Sequence, residues 1–182
     1  MTFRAFLPRP RWLGGFLLLG LLAGCTTSGD DHYLLVDSDF EQFQGWVDPL
    51  PAFLTTEKVR SGHYSFRVSD NTEFTNACHT TLEGLPFLPS KLRLQAWTYL
   101  PGRFIGSTMV VLQVNCHGRR PNLWSGLALE QVVTRYEQWE HLTKTISLPA
   151  DLDPTDEVTV YVWCPTGGPP RYFDDFTLEG WR

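Results

Sequence analysis

The chain has 182 residues, among them 15 lysines and arginines and 20 aspartates and glutamates, which give a formal net charge of −5. This length is typical of one domain with a substantial hydrophobic core. The acidic balance and the lack of a basic stripe argue against a nucleic-acid partner, because such partners need a positively charged surface.

The first 24 residues have the composition of a secretory signal peptide. Three arginines precede an almost wholly apolar run, Trp12–Ala23. This run is shorter than the ~20 residues with which a helix crosses a bilayer, so it predicts a secretory signal rather than a membrane span. The run ends in Leu-Ala-Gly-Cys, which resembles the lipobox of bacterial lipoproteins and implies cleavage before Cys25 and lipidation of that residue. An ordinary secretory signal, in which Cys25 is incidental, is the alternative.

Cleavage at this point would leave 12 basic and 20 acidic residues, a net charge of −8, in a chain attached to the membrane by its lipid alone. Residues 25–32 are then the lipidated cysteine and a short polar tether. The Ser-Gly-Asp-Asp sequence at residues 28–31 resembles the acidic surface-export signal of lipoproteins in the Bacteroides group. We therefore expect an outer-membrane protein of the cell envelope, located either on the cell surface or on the periplasmic face.

Residues 33–182 are predicted to form one all-β domain. Segments rich in β-branched and aromatic residues recur about every ten residues between Gly, Pro and Asn or Asp, which is the pattern of short strands and turns. The ten predicted strands are Tyr33–Phe40, Ala52–Val59, His63–Ser69, Glu73–Leu82, Lys91–Leu100, Ser107–His117, Leu123–Val132, Gln138–Leu148, Glu157–Cys164 and Tyr172–Glu179. Only Ala128–Tyr136 has the composition of a helix, and its Val-Val-Thr run argues against one. About ten short strands without crossover helices indicate a two-sheet antiparallel β-sandwich or jelly roll.

The last predicted strand carries a carboxylate on an otherwise apolar face. At a period of two residues this face holds Tyr172, Asp174, Phe176 and Leu178, so Asp174 is expected to point inward. A buried, ionised carboxylate costs several kcal/mol unless a cation or several hydrogen-bond donors meet it. We therefore expect a cation or a set of donors beside Asp174.

Five segments of the chain form a recognisable series. They are Asp37–Glu41 with Gly45-Trp46, Arg60–Val68, Leu92–Tyr99, Gln138–Glu140 with Leu148-Pro149, and Tyr172–Leu178. In this order they resemble the galactose-binding-like jelly roll of carbohydrate-binding modules, especially of the group that includes families four, nine and twenty-two. The resemblance covers essentially the whole chain after the tether and implies the same fold. It also implies that Trp46, Trp97 and Trp139 are scaffold residues.

In that family one calcium ion ties the start of the domain to its end, and the resemblance implies the same here. The matching ligands are the side chains of Glu41 and Asp174, with backbone oxygens near Asp39 and Ser61. Calcium takes about six to eight oxygen ligands, which carboxylates and loop carbonyls supply. The alternative is that arginine side chains or backbone amides meet Asp174 and that no metal binds.

Export would permit disulfides, and the three cysteines after the tether, Cys78, Cys116 and Cys164, allow at most one. No His–Cys spacing suggests a zinc site. In the strand order that the resemblance implies, Cys78 and Cys164 lie on neighbouring antiparallel strands, so they are the expected pair.

Alternation along four predicted strands places an unusual set of side chains on the outer face of one sheet. Phe74, Cys78 and Leu82 are expected to point inward, as are the apolar residues at even positions of Ser107–His117 and Glu157–Cys164. The outward set, which is the predicted ligand-binding site, comprises Trp124, Tyr161, Trp163, Gln113, Asn115, His79 and His117. Aromatic planes stack on the C–H faces of sugar rings while the polar groups exchange hydrogen bonds with hydroxyls, and small-ligand sites combine such groups.

The resemblance implies that glycan chains lie on this concave face, and Gly126 and Ala128 are expected to leave room for a ring beside Trp124. No G-x-S-x-G, no H-E-x-x-H and no Ser-His-Asp order is present, so no enzyme activity and no catalytic residue is expected. We expect a lipid-anchored, non-catalytic domain that holds a polysaccharide or glycoconjugate at the cell envelope. The alternative is a protein-interaction or envelope-assembly lipoprotein of the same fold, whose exposed aromatic patch docks a protein partner.

Overall fold

The structure, a computed structural model, describes residues 31–42, 53–68, 74, 78–104 and 106–182. The predicted signal peptide, Cys25 and most of the predicted tether lie outside these residues, as does Trp46. No helix in the described ranges is long and apolar enough to span a membrane.

The strands of the described residues form two antiparallel sheets. The first sheet contains β1 (His32–Ser38), β2 (Leu54–Thr55), β3 (Ser65–Val68), β5 (Lys91–Tyr99), β8 (Trp139–Ser147) and β10 (Arg171–Trp181). Its order is β2-β3-β10-β5-β8, with β1 also paired to β10. The second sheet contains β4 (Cys78–Thr81), β6 (Met109–Asn115), β7 (Leu123–Ala128) and β9 (Glu157–Trp163), in the order β4-β9-β6-β7. This arrangement confirms the predicted all-β, two-sheet antiparallel sandwich.

The prediction that the strand Leu123–Val132 extends to Val132 is wrong for its last four residues. Its strand part ends at Ala128, and Leu129–Val132 form one turn of helix, α1, closed by a 2.9 Å hydrogen bond from the Val133 amide to the Leu129 carbonyl. Val133 has returned to extended backbone, with φ of −83° and ψ of 122°. The β-branched run therefore limits the helix to a single turn rather than preventing it.

Apolar side chains from both sheets fill the space between them. The second sheet contributes Val110, Leu112, Val114, Val158, Val160 and Val162, all at most 2% exposed. Burying each such side chain stabilises the fold by about 1.5–3 kcal/mol, so the valine pattern fixes which face of this sheet turns outward. The alternation predicted for β6 and β9 is thus confirmed.

Strand β10 does not keep one alternation along its length. Its pairing with β5 shifts register between Asp174 and Thr177, and Asp175 has a φ of +48°, as at a β-bulge. The core takes side chains from both sides of this irregularity: Phe173, Phe176 and Leu178. Asp174 lies opposite Trp97 on the outer face of the sheet, where the loop around residue 60 covers it. The prediction that Asp174 shares one inward face with residues 172, 176 and 178 is therefore wrong, because the bulge reverses the alternation.

The predicted disulfide between Cys78 and Cys164 is absent. These two cysteines and Cys116 are buried free thiols. Strands β4 and β9 are indeed antiparallel neighbours, but Cys78 lies opposite Val160, four residues from Cys164. Four residues of strand correspond to about 13 Å, whereas a disulfide needs Cα atoms within about 7 Å.

Candidate ligand-binding site

Six of the seven predicted ligand-binding residues lie on the outer face of the second sheet. Each of the four strands contributes at least one of them: His79 from β4, Tyr161 and Trp163 from β9, Gln113 and Asn115 from β6, and Trp124 from β7. In the strand register Gln113 lies between Trp124 and Thr159. The valine core behind the sheet therefore positions these side chains on one surface.

Four rings of this face, Phe74, Trp124, Tyr161 and Trp163, pack together as an aromatic cluster. The Trp163 and Phe74 rings are nearly parallel, with centroids 6.2 Å apart and an interplanar angle of 14°. Trp124 meets Trp163 edge to face, at 6.2 Å and 84°. Trp124 and Phe74 remain 51% and 54% exposed, so the cluster presents apolar planes to solvent.

Phe74 was expected to point inward with Cys78, and that prediction is wrong. Phe74 forms an isolated β-bridge with Trp163 and packs on the outer aromatic rings, whereas Cys78 is buried in the core. The alternation of β4 does not extend back to residue 74. Because residue 74 has the same parity as the inward residues of its predicted strand, the sequence carried no signal for this member of the cluster.

Hydrogen bonds join the cluster to the polar part of the face. The Trp124 indole Nε1–H donates to the Tyr161 hydroxyl at 3.1 Å, and that hydroxyl donates to the Gln113 amide oxygen at 3.4 Å. These bonds fix the orientation of Trp124 although half of its surface is exposed. The ring is therefore held in place before any ligand arrives.

A groove of about 370 Å³ adjoins the aromatic cluster. Its lining residues are Phe74, His79, Gln113, Asn115, Glu157, Thr159 and Tyr161. Within it His79 Nδ1 lies 2.8 Å from a Glu157 carboxylate oxygen and 3.3 Å from the Thr159 hydroxyl. Glu157 and Thr159 were not among the predicted ligand-binding residues, although both share the outward parity of Tyr161 in β9. The groove thus offers amide, imidazole, hydroxyl and carboxylate groups beside an apolar surface.

His117 is the predicted residue that does not join this site. It follows β6 in a turn, with a φ of +50°, and its Nε2 lies 3.1 Å from the Thr155 carbonyl oxygen. The neighbouring Arg119 forms an ion pair with the buried Asp156. Arg120 pairs with Asp151 at 2.8 Å. These contacts join the two loops at the end of the second sheet, and none of the three side chains lines the groove.

The space predicted beside Trp124 is filled by Trp124 itself. A Cβ atom on Gly126 would lie 2.8 Å from Trp124 Cη2 and 2.9 Å from Met109 Sδ. The indole therefore leans over Gly126 toward Trp163, and Ala128, at the end of the strand, is buried. Gly126 serves the packing of the ring rather than the entry of a ligand.

No protein-family model matches the chain, and no curated protein matches it. Among solved structures, it is similar to the CBM22-1 xylan-binding domain from Paenibacillus barcinonensis Xyn10C, with 15% identity, a TM-score of 0.53 and coverage of 85% of this chain and 99% of that one. It is also similar to the C-terminal family 22 carbohydrate binding module of Clostridium thermocellum Xyn10B, with 18% identity, a TM-score of 0.53 and coverage of 81% and 91%. A third is the Clostridium thermocellum Xyn10B structure of CBM22-1 and GH10 modules complexed with xylohexaose, with 11% identity, a TM-score of 0.54 and coverage of 80% and 28%. This chain shares their fold.

Asp174, one of the predicted calcium ligands, is met by backbone amides. Its Oδ2 accepts hydrogen bonds from the amides of Arg60, at 2.8 Å, and Ser61, at 3.3 Å, and its Oδ1 accepts one from Asp175, at 2.9 Å. The pKa of Asp174 is raised to about 6, mainly because the carboxyl group is buried. The hydrogen bond from the Arg60 amide lowers this pKa but does not offset the burial. Two arginines of the same sheet, Arg67 and Arg93, pair with Glu57 and Glu179 instead of Asp174.

Glu41, the second predicted calcium ligand, contacts the same loop. Its Oε1 accepts hydrogen bonds from the amides of His63, at 2.7 Å, and Tyr64, at 2.8 Å, which hold the pKa of this carboxyl below its usual value. The loop passes this close because residue 62 is a glycine with a φ of +64°, and a Cβ there would lie 2.6 Å from the same oxygen. Loop 60–64 thus gives amides to both carboxylates.

The donor chemistry of this region suits calcium, but the number of side-chain ligands is small. The side chains of Glu41 and Asp174 supply hard oxygens, and Asp39 accepts a 3.0 Å hydrogen bond from the Glu41 amide. Within the described ranges no group of three or more His, Cys, Asp or Glu side chains is placed to hold a metal ion. The amides account for the buried carboxylate without a metal, and calcium at Glu41, Asp174, Asp39 and Ser61 stays a prediction.

Proposed function

We propose that this protein is a non-catalytic domain that binds a polysaccharide on the outer face of its second sheet. The observation that carries the proposal is the contact between the aromatic cluster and the polar groove. Leaving two large rings more than half exposed forgoes burial free energy of about 25 cal/mol per Å² of apolar surface. A ligand that covers these rings recovers that free energy, and a sugar ring with one apolar C–H face and several hydroxyls matches both parts of the site.

The charges around the groove favour an uncharged polysaccharide. Glu157 places a carboxylate in the lining, and the nearby Arg119 and Arg120 are engaged with aspartates. The described lining of the groove contains no lysine or arginine, so a uronate there would meet a like charge. Neutral chains of the xylan type fit better, and structures of this fold described as xylan-binding or complexed with xylohexaose support that choice.

The groove lacks the paired carboxylates of a glycoside hydrolase. Such enzymes use two acidic side chains about 5–9.5 Å apart on either side of the scissile bond. Of the described residues that line the groove, Glu157 alone is acidic, and His79 holds it. This supports binding without cleavage.

The position of the aromatic cluster suits a domain tethered at its N-terminus. Strand β1 begins at His32, opposite Trp181 at one end of β10, while Trp163 is joined by residues 164–170 to Arg171 at the other end. The 11 residues of β10 span about 35 Å. The proposed lipid anchor at Cys25 in the cell envelope would therefore leave the glycan-binding rings at the end away from the membrane.

Replacing Trp163 or Trp124 by alanine tests the proposal. Affinity electrophoresis through xylan gels should show retardation of the unmodified protein, weakened about tenfold or more in either variant, because one stacked ring and its buried area are lost. Tyr64→Ala is the matched control, since Tyr64 is a 40% exposed aromatic residue outside this face.

Unchanged retardation of both tryptophan variants would contradict the assignment of the site. Two results together would support the alternative of a protein-interaction lipoprotein. No neutral polysaccharide would retard the protein, and a second protein would co-purify with the unmodified protein but not with the tryptophan variants.

A further inference from the structure

A second set of aromatic side chains lies on the opposite side of the sandwich, on the outer face of the first sheet. Tyr172, Tyr99 and Trp139 are directly opposite one another on three neighbouring strands. Their rings meet edge to face, with centroids 6.0 Å and 5.8 Å apart. One step along the strands, Trp97 lies opposite His141, with centroids 5.0 Å apart.

The loop that binds Asp174 covers one side of this aromatic surface. Arg60 donates its amide to Asp174 and places its guanidinium 3.9 Å from the centre of the Trp97 ring. Two residues earlier, the Lys58 ammonium lies 5.0 Å above the centre of Tyr99. The loop buries Tyr172, whereas Trp97, Tyr99 and Trp139, nearer the sheet edge, stay partly exposed and His141 is exposed. We call the open part, formed by Trp97, Tyr99, Trp139 and His141, the first-sheet platform.

Among the described lysines of this face, Lys58 and Lys91 have no carboxylate partner, and Lys58 is the one that stands over an aromatic ring. Its neighbours are engaged: Arg60 with Asp175, Arg67 with Glu57, and Arg93 with Glu179. Lys58 is exposed, and its positive charge stands over an aromatic ring in a chain whose net charge is −5. A ligand with a negative group beside a flat apolar face would complement both features.

We propose that the first-sheet platform is a second binding site, for an acidic polysaccharide that carries carboxylate groups. The Trp139 ring stacks on the C–H face of a sugar, and Lys58, which stands above the neighbouring Tyr99 ring, pairs with its carboxylate. Along the strands the platform continues into the polar residues Gln95 and Thr143. Hydroxyl and amide groups suit a hydroxylated chain, whereas a protein interface needs a broader patch of about 800 Å² per partner.

The first sheet and the second sheet would then bind chains of different charge. This inference does not rest on the proposed function, because the two faces share no residue. Binding at the platform is expected to weaken as salt rises, since an exposed charge pair is screened within about 8 Å at physiological ionic strength. Binding of a neutral chain at the aromatic cluster is expected to change little.

Affinity electrophoresis of the purified protein through polygalacturonate gels tests the platform. Lys58→Gln and Trp139→Phe should each weaken retardation, Lys58→Gln by about fivefold. Lys91→Gln is the matched control, because Lys91 is an exposed lysine on the same face at the far end of β5. Trp163→Ala should leave polygalacturonate binding unchanged, and Lys58→Gln should leave xylan binding unchanged.

Three outcomes would overturn the inference. One is the lack of any polygalacturonate binding at low salt. Another is equal weakening by Lys58→Gln and Lys91→Gln, which would indicate attraction to net charge alone. The third is loss of polygalacturonate binding in Trp163→Ala, which would place the acidic chain on the second sheet. Melting curves of all variants confirm that the fold is retained.

Discussion

Gly126 shows how a missing methyl group shapes the aromatic cluster. The Trp124 indole crosses this position, and the Met109 thioether closes it from the other side. Both contacts are made by the ends of flexible side chains rather than by backbone. The glycine therefore controls the position of Trp124 more than the stability of the fold.

Gly126→Ala is expected to weaken xylan binding about three- to tenfold, because the new Cβ displaces Trp124 from Trp163. The free energy of unfolding should change by less than about 1 kcal/mol, since both neighbours can move. Titration calorimetry and thermal melting measure the two effects. Gly102→Ala, where a Cβ would meet open space, is the control. Unchanged affinity in Gly126→Ala would show that the position of Trp124 does not matter for binding.

At the scale of strands, alternation predicted the second sheet well because its ladders are regular. Strands β6 and β9 pair residue by residue from Met109–Trp163 to Asn115–Glu157, so a pattern of period two holds along them. The outward positions of Tyr161, Trp163 and Gln113 follow from the valines between them. Whether these side chains bind a glycan is not a property of the pattern, and it stays a prediction.

Alternation failed where tertiary contacts break a ladder. The bulge in β10 occurs where loop 60–64 donates amides to Asp174, and a contact between segments more than a hundred residues apart leaves no local signal. The outward orientation of the Phe74 side chain likewise depends on a long-range contact, its bridge and ring contact with Trp163. Glu157 has the outward parity of Tyr161, but parity does not separate a groove residue from a solvated charge at the start of a strand.

Loop 60–64 also provides the test of the calcium prediction. A bound ion between Glu41 and Asp174 would join the start of the domain to its last strand, so a chelator is expected to lower the melting temperature by several degrees. Asp174→Ala should remove this sensitivity to the chelator. Differential scanning calorimetry on protein first loaded with calcium measures both. Identical melting with and without the chelator would show that the amides alone hold the two carboxylates.

At the scale of the molecule, the core holds its three described cysteines as thiols. Burial raises the pKa of Cys78 to about 11 and also raises the pKa of Cys164, so neither is a thiolate at neutral pH. We expect a reductant to leave the melting temperature unchanged. We expect a thiol reagent to label Cys78, Cys116 and Cys164 after unfolding and not before, as read from peptide masses. A disulfide-linked peptide pair would contradict the register of β4 and β9.

The pairing of the first strand with the last has a mechanical consequence. Strand β1 enters the sandwich at His32 and runs antiparallel to β10, with its hydrogen bonds perpendicular to the strand axis. If the chain is held by its N-terminus while a glycan pulls at the Trp163 end, the force acts along this axis. The ladder is then loaded in shear, with its bonds sharing the load, rather than opened one bond at a time from an end. This orientation would resist drag if a polymer is bound at the Trp163 end.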